Sequence, residues 1–184
     1  MKKVKTVIFV FVCVILCFVL QSTILSRLSF GGVQANLMII ETAAFAFCLG
    51  DVGGLFVGFF SGLLCDIFFG PLIGFYALVY AFIGFMAGKF KRLLYAESLT
   101  FPLALVGGCD VVYTFLSFVF LFMMRNRMIL PDFFISCMLP ELLYTLVLSV
   151  FVYPAIVKLY ELVTRPPRKS QSKRRPGQGF TTIR

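Results

Sequence analysis

Four carboxyl groups sit inside or beside long apolar runs: Glu41, Asp66, Asp110 and Glu141. An ionisable group at membrane depth is costly and faces protein or water, so each is a functional candidate by default. Two kinds of role are open to them. One is to handle a proton, a cation or a partner group. The other is purely structural, a hydrogen-bonded carboxyl that fixes how helices pack. For Asp110, Tyr113 and Thr114 lie at i+3 and i+4, which favours the structural role. Glu41 has Thr42 beside it and no cation in sight. Glu141 follows Pro140, and a proline that starts a helix there puts the acid where a helix N-terminus favours negative charge. Asp66 and Glu141 both fall towards one side of the membrane, near the segment bearing Arg125 and Arg127. That arrangement predicts a polar cluster at the outer mouth, either structural or receptive to a partner.

Much other chemistry is excluded. Histidine is absent, which removes the common metal ligand and the common base near neutral pH. No nucleophile stands with a base and an orienting group, and no glycine-rich loop is followed by Lys-Ser or Lys-Thr. Cys13, Cys17, Cys48, Cys65, Cys109 and Cys137 lie in or beside apolar runs without a CxxC pair, so they read as small packing residues. The expectation is a protein that is not an enzyme and holds no cofactor or metal. Carboxyls without histidine would suit ion-coupled transport, yet no internal repeat of discontinuous helices accompanies them.

The elements that position these groups follow from the apolar runs. Of 184 residues, 60% are hydrophobic, and the mean hydropathy is +1.00. No soluble domain of this length has interior enough for that. The runs have the length, about 20 residues, that crosses a bilayer core of about 30 Å. They predict an all-α, multi-span membrane protein with six helices in one bundle over residues 1–163. The expected spans are 4–22, 34–49, 52–69, 72–89, 101–124 and 134–157. The first run is too long for a secretory signal core and lacks a small-x-small cleavage site, so it reads as an uncleaved span. Residues 164–184, rich in Arg, Lys, Pro, Ser and Gly, read as a disordered basic tail.

Basic residues set the expected orientation. Lys2, Lys3 and Lys5, then Lys89, Lys91 and Arg92, then Lys158 and the tail residues Arg165, Arg168, Lys169, Lys173, Arg174, Arg175 and Arg184 all fall on one side. The positive-inside rule makes that side cytoplasmic and places both termini there. The net charge of +9 is therefore a membrane-proximal basic surface. It suits anionic lipid headgroups or a cytoplasmic partner. Nucleic acid is not expected, because no aromatic stacking platform accompanies the charge.

Span three carries Gly54, Gly58, Gly62 and Asp66 at intervals of four, a stripe down one helix face. Small residues so spaced let another helix approach backbone to backbone. Gly70 and Pro71 then break the helix, Gly74 opens the next, and Gly84 and Gly88 repeat the small-residue spacing in span four. These glycines and Asp66 are the expected helix-packing or partner-docking positions.

The stretch "GGLFVGFFSGLLCDIFFGPLIGFYALVYAFIGFMAGKF", residues 53–90, resembles the MreD family of bacterial rod shape-determining membrane proteins. The resemblance rests on Gly58, Gly62, Leu63, Leu64, Asp66, Gly70, Pro71, Leu72, Gly74, Ala77, Gly84 and Gly88. The chain departs from the family pattern at Ala35-Asn36-Leu37, where Pro-Asp-Leu is common, and at Asp51, where a basic residue is common. Ile73 also stands where the family usually has Leu. The resemblance implies a non-enzymatic subunit of the elongation machinery of the lateral cell wall. Its implied partners are the single-span protein MreC, the actin-like MreB filament and the RodA–penicillin-binding-protein synthase. It also implies a fold similar to the substrate-binding S subunits of energy-coupling-factor transporters. From another class, the alternative is a vitamin-like small-molecule binding subunit of a transporter, which requires a ligand-sized cavity near the outer face.

Overall fold

The computed structural model describes residues 2–25, 27, 34–70, 72–93, 100–125 and 138–164. Six α-helices follow one another among them: α1 (Lys2–Leu20), α2 (Leu37–Leu49), α3 (Asp51–Phe69), α4 (Phe75–Leu93), α5 (Thr100–Arg125) and α6 (Leu139–Thr164). A π-helical turn, Gln21–Leu25, extends α1. No strand occurs among the described residues. Each expected span contains one helix with shifted ends. The fourth starts at Phe75 rather than 72, and the sixth runs on to Thr164. Pro71, residues 134–137 of the sixth expected span, and Arg165, Arg168, Lys169, Lys173, Arg174 and Arg175 of the tail lie outside the described residues.

Four stretches are long and apolar enough to cross a bilayer: Val4–Leu25, Asp51–Phe69, Pro102–Phe120 and Leu139–Thr164. Leu37–Leu49 and Phe75–Phe90 are shorter apolar helices. At a rise of 1.5 Å per residue α2 is only about 20 Å long. Its place in the fold explains its composition. It is apolar on every side, and Leu37 through Ala46 are all buried. A helix apolar all round belongs inside other helices, and α2 packs against all five of them. The outer helices divide their faces instead. Val10, Val14, Cys17 and Phe18 turn the inward stripe of α1 to the core, while Val4, Val7 and Ile8 point outward. Phe151 and Leu162 do the same on α6. Such outward apolar surface is what a lipid-facing helix presents.

The tightest pairing is α3 on α4. A Cβ added to Gly58 would strike the Tyr80 carbonyl, and one added to Gly62 would strike the carbonyl of Tyr76 and Cα of Ala77. Gly54 and Gly84 face each other in the same way, each Cβ meeting the other's carbonyl oxygen. Gly88 lies against the backbone of Asp51. Close backbone approach lets dispersion and weak Cα–H contacts act where lipid offers no hydrophobic drive between helices. At that same Asp51 end of α3, Gly50 alone joins α2 to α3, with φ +89°. Its N–H donates to the Ala46 carbonyl at 2.9 Å, and its own carbonyl accepts from Gly54 N–H at 2.8 Å.

Not every glycine is in the seam. A Cβ on Gly108 would meet nothing within 4 Å. Gly58→Ala is therefore expected to push α3 and α4 apart and destabilise the bundle by about 2 kcal/mol. Gly108→Ala should be neutral or stabilising by up to about 1 kcal/mol through helix propensity. Thermal unfolding of the two variants in detergent checks the contrast.

Candidate functional site

Asp66 lies in the last turn of α3 and is 2% exposed. Its Oδ2 accepts from Gly74 N–H at 3.0 Å and from Ala77 N–H at 2.8 Å. Its Oδ1 accepts from Tyr76 N–H at 2.9 Å. These donors belong to the start of α4, where the first N–H groups of a helix have no intrahelical partner. The carboxylate thus caps α4 from the neighbouring helix, where the helix dipole also favours negative charge. Gly74 holds φ +103°, a backbone shape suited to glycine, and turns its N–H to the acid. Gly70 N–H donates to the Asp66 carbonyl at 3.1 Å and ends α3. Capping also explains why α4 starts at Phe75: the residues before it form the turn that wraps the acid.

A second polar centre forms at Asn36, the residue before α2. Its Oδ1 accepts from Ile39 N–H at 3.3 Å, the N-cap of α2, and from Tyr80 O–H at 2.9 Å. Its own N–H donates to Thr145 Oγ1 of α6 at 3.1 Å. One residue later, Leu37 N–H donates to Gln21 Oε1 at 2.7 Å, which ties in the end of α1. Asn36 and Leu37 therefore join α1, α2, α4 and α6 at one level. Beside them opens a cavity of about 230 Å³, lined by Gln21, Asn36, Tyr76, Tyr80, Tyr113 and Glu141 among others. Cys65, adjacent to Asp66, also lines it. The Tyr76 and Tyr113 rings lie 6.0 Å apart between centroids, and those of Tyr80 and Tyr113 lie 5.3 Å apart. Glu141 enters from the first turn of α6.

The expected outer cluster of Asp66 and Glu141 thus resolves into two adjoining features, a helix cap and a cavity wall. The Arg125 side chain and Arg127 lie outside the described residues. For Asp110 the local neighbour meets the backbone. Thr114 Oγ1 donates to the backbone carbonyl of Asp110 at 2.9 Å, not to its carboxyl. Within a helix a hydroxyl four residues on reaches the carbonyl more readily than the side chain. Both carboxyl oxygens of Asp110 are buried without a hydrogen-bond partner among the described residues, and so are both of Glu41. Glu41 and its neighbour Thr42 are each 0% exposed, in the middle of α2. The five described cysteines, Cys13, Cys17, Cys48, Cys65 and Cys109, form no disulfide with one another.

Sequence reasoning missed Asn36, Gln21, Tyr80 and Tyr113. The first had a usable signal, since asparagine directly before an apolar run is a helix N-cap pattern. The others had none. Gln21 at a span end suits an interface, Tyr80 and Tyr113 in mid-span read as packing residues, and only the fold brings these together.

Replacing Asp66 should separate capping from mere space filling. Asp66→Leu leaves three N–H groups unmet and is expected to destabilise the bundle by about 3 kcal/mol. Asp66→Asn keeps one accepting oxygen and should cost about 1 kcal/mol. Asn36→Ala should cost about 1–2 kcal/mol as a lost cap. Thermal midpoints in detergent order the three. If Asp66→Leu melts like the parent, the cap contributes nothing.

The model of one protein family, described as rod shape-determining protein MreD, matches residues 1–163, which contain nearly all of the helical bundle. No curated protein matches the chain. No solved structure matches it either. The match covers far more than half the chain, well beyond the α3–α4 hairpin. The protein belongs to the MreD family of rod shape-determining membrane proteins.

Proposed function

We propose that the chain is a non-enzymatic scaffold in the bacterial inner membrane, within the complex that builds the lateral wall of rod-shaped cells. The family match over residues 1–163 carries this reading. In it the protein positions a single-span MreC, an MreB filament at the cytoplasmic face and a RodA–penicillin-binding-protein synthase. Both termini are cytoplasmic. The basic residues Lys89, Lys91 and Arg92, with Arg165, Arg168, Lys169, Lys173, Arg174 and Arg175, then face filament or anionic headgroups.

The glycine stripe and Asp66 act on bundle integrity in this reading. Their partners in the fold are backbone groups of α4. The hairpin they lock is a rigid platform, which is what holding several partners in fixed relation requires. An arrangement similar to the transporter S subunits is compatible with a six-helix chain. The transport role itself is disfavoured by size. The polar cavity, about 230 Å³, is below the roughly 300–1,000 Å³ typical of sites for vitamin-sized ligands.

Depletion of the protein in its host should turn rods into spheres and release the MreC-like protein and the synthase from co-purification. Unchanged shape with unchanged complexes would sink the scaffold reading. Exchange of the six tail residues Arg165, Arg168, Lys169, Lys173, Arg174 and Arg175 for glutamine tests the basic surface separately. It is expected to weaken binding to vesicles containing anionic lipid by tenfold or more, at about 1 kcal/mol per basic residue.

A further inference from the structure

The cavity between Asn36 and Glu141 has no part in the scaffold role. Its chemistry differs from that of the other hollows. A hollow of about 510 Å³ between α4 and α5 is lined by side chains such as Phe82, Met86, Phe90, Leu105 and Val112. Another of about 390 Å³ is lined by Val7, Phe11, Phe56 and similar groups. Both are apolar throughout and suit lipid chains. At the third, three tyrosines, a glutamate and several amide groups converge.

Among the described residues its lining includes one ionisable carboxyl, that of Glu141, and no lysine or arginine. Asp110 lies near enough for its charge to act on Glu141. It is 0% exposed, and its carboxyl lies beside the Thr145 side chain of α6. Among the described residues the lining holds no cation, so an ionised Glu141 would find its countercharge in a bound ligand. Tyr76, Tyr80 and Tyr113 form a continuous aromatic wall beside it. Aromatic rings attract cations through their negative faces, and rings joined to a carboxylate are how proteins take up ammonium groups. The wall is also held in place. Asp66 fixes the backbone of Tyr76, and Asn36 holds the Tyr80 hydroxyl. Preorganised walls are typical of ligand sites rather than of incidental gaps.

We propose that this cavity is a binding site for a small organic ammonium group, either a free amine or the headgroup of a lipid. Glu141 supplies the countercharge, and Tyr76, Tyr80 and Tyr113 supply the aromatic wall. At about 230 Å³ the space suits a compact group of choline size. The site stands independently of the scaffold reading, because it is tested by binding and not by cell shape.

The chain has no tryptophan and seven tyrosines, three of them in the cavity wall, so a change of tyrosine emission on titration reads out occupancy of the site. The full-length protein in detergent is titrated with choline and with dimethylbutanol, its uncharged carbon isostere. Choline is expected to change the emission saturably and to bind at least about tenfold more tightly than the isostere. Glu141→Gln should weaken choline about tenfold, and so should Tyr113→Leu, while Tyr113→Phe keeps the ring and should stay within about twofold. Glycerophosphocholine distinguishes the sources. Tighter binding than choline marks a lipid headgroup, and weaker binding marks a free amine. Equal binding of the uncharged isostere, no saturable response to choline, or a folded Glu141→Gln protein with unchanged affinity each overturns the proposal. The comparison of choline with its isostere on the unmodified chain decides the matter even where a variant does not fold.

Discussion

A helix that begins within reach of the bilayer core has N–H groups that water cannot serve, and every such group must be met by protein. In this chain the start of α4 is met by one carboxylate, Asp66, from the end of α3. The geometry of the α3–α4 hairpin follows from that contact. It sets where α4 begins, and the turn between the helices is shaped to deliver Gly74, Tyr76 and Ala77 to the acid. It holds α3 and α4 at one end of a seam that Gly62, Gly58 and Gly54 close along its length. Cap and seam are complementary: the glycines permit the approach, and the acid sets its register.

Around that hairpin the bundle is organised by a short buried helix. At its Asn36 end α2 cannot reach water alone, so its first N–H groups are served by side chains of α1 and α6 and by its own cap residue. Its length and its burial have one cause. A helix surrounded by five others need not span the bilayer, and it has no polar face to show. The cost is that any polar group on it is enclosed, and Glu41 and Thr42 are the result. The Glu41 carboxyl meets no well-aligned donor among the described residues, with the Cys17 thiol of α1 close by.

The polar cavity arises where these two devices meet. Asp66 places Tyr76, Asn36 places Tyr80, and Tyr113 and Glu141 close the space from α5 and α6. Side chains from separate helices converge there because α2 stops short and leaves its end open. The α3–α4 seam and the cavity wall share the backbone of Tyr76 and Tyr80.

Membrane residence, helix number and the packing role of small residues were all legible in the sequence. They depend on local properties, namely apolar run length, glycine spacing and the cost of charge in lipid. The stripe ending at Asp66 was legible for the same reason, since an interval of four places residues on one helix face whatever the helix meets. What the face meets is a matter of topology. The donors to Asp66 lie 8, 10 and 11 residues further on, and Thr145 lies 109 residues beyond Asn36. For Asp110 the local neighbours favoured a structural role, and the structure turns Thr114 to the backbone carbonyl, because the surroundings of the carboxyl come from another helix. The sequence by itself determined which residues avoid lipid. Only the tertiary structure decided which backbone or side chain each would meet, because a buried polar group takes its partner from whatever the packed helices bring within hydrogen-bonding distance.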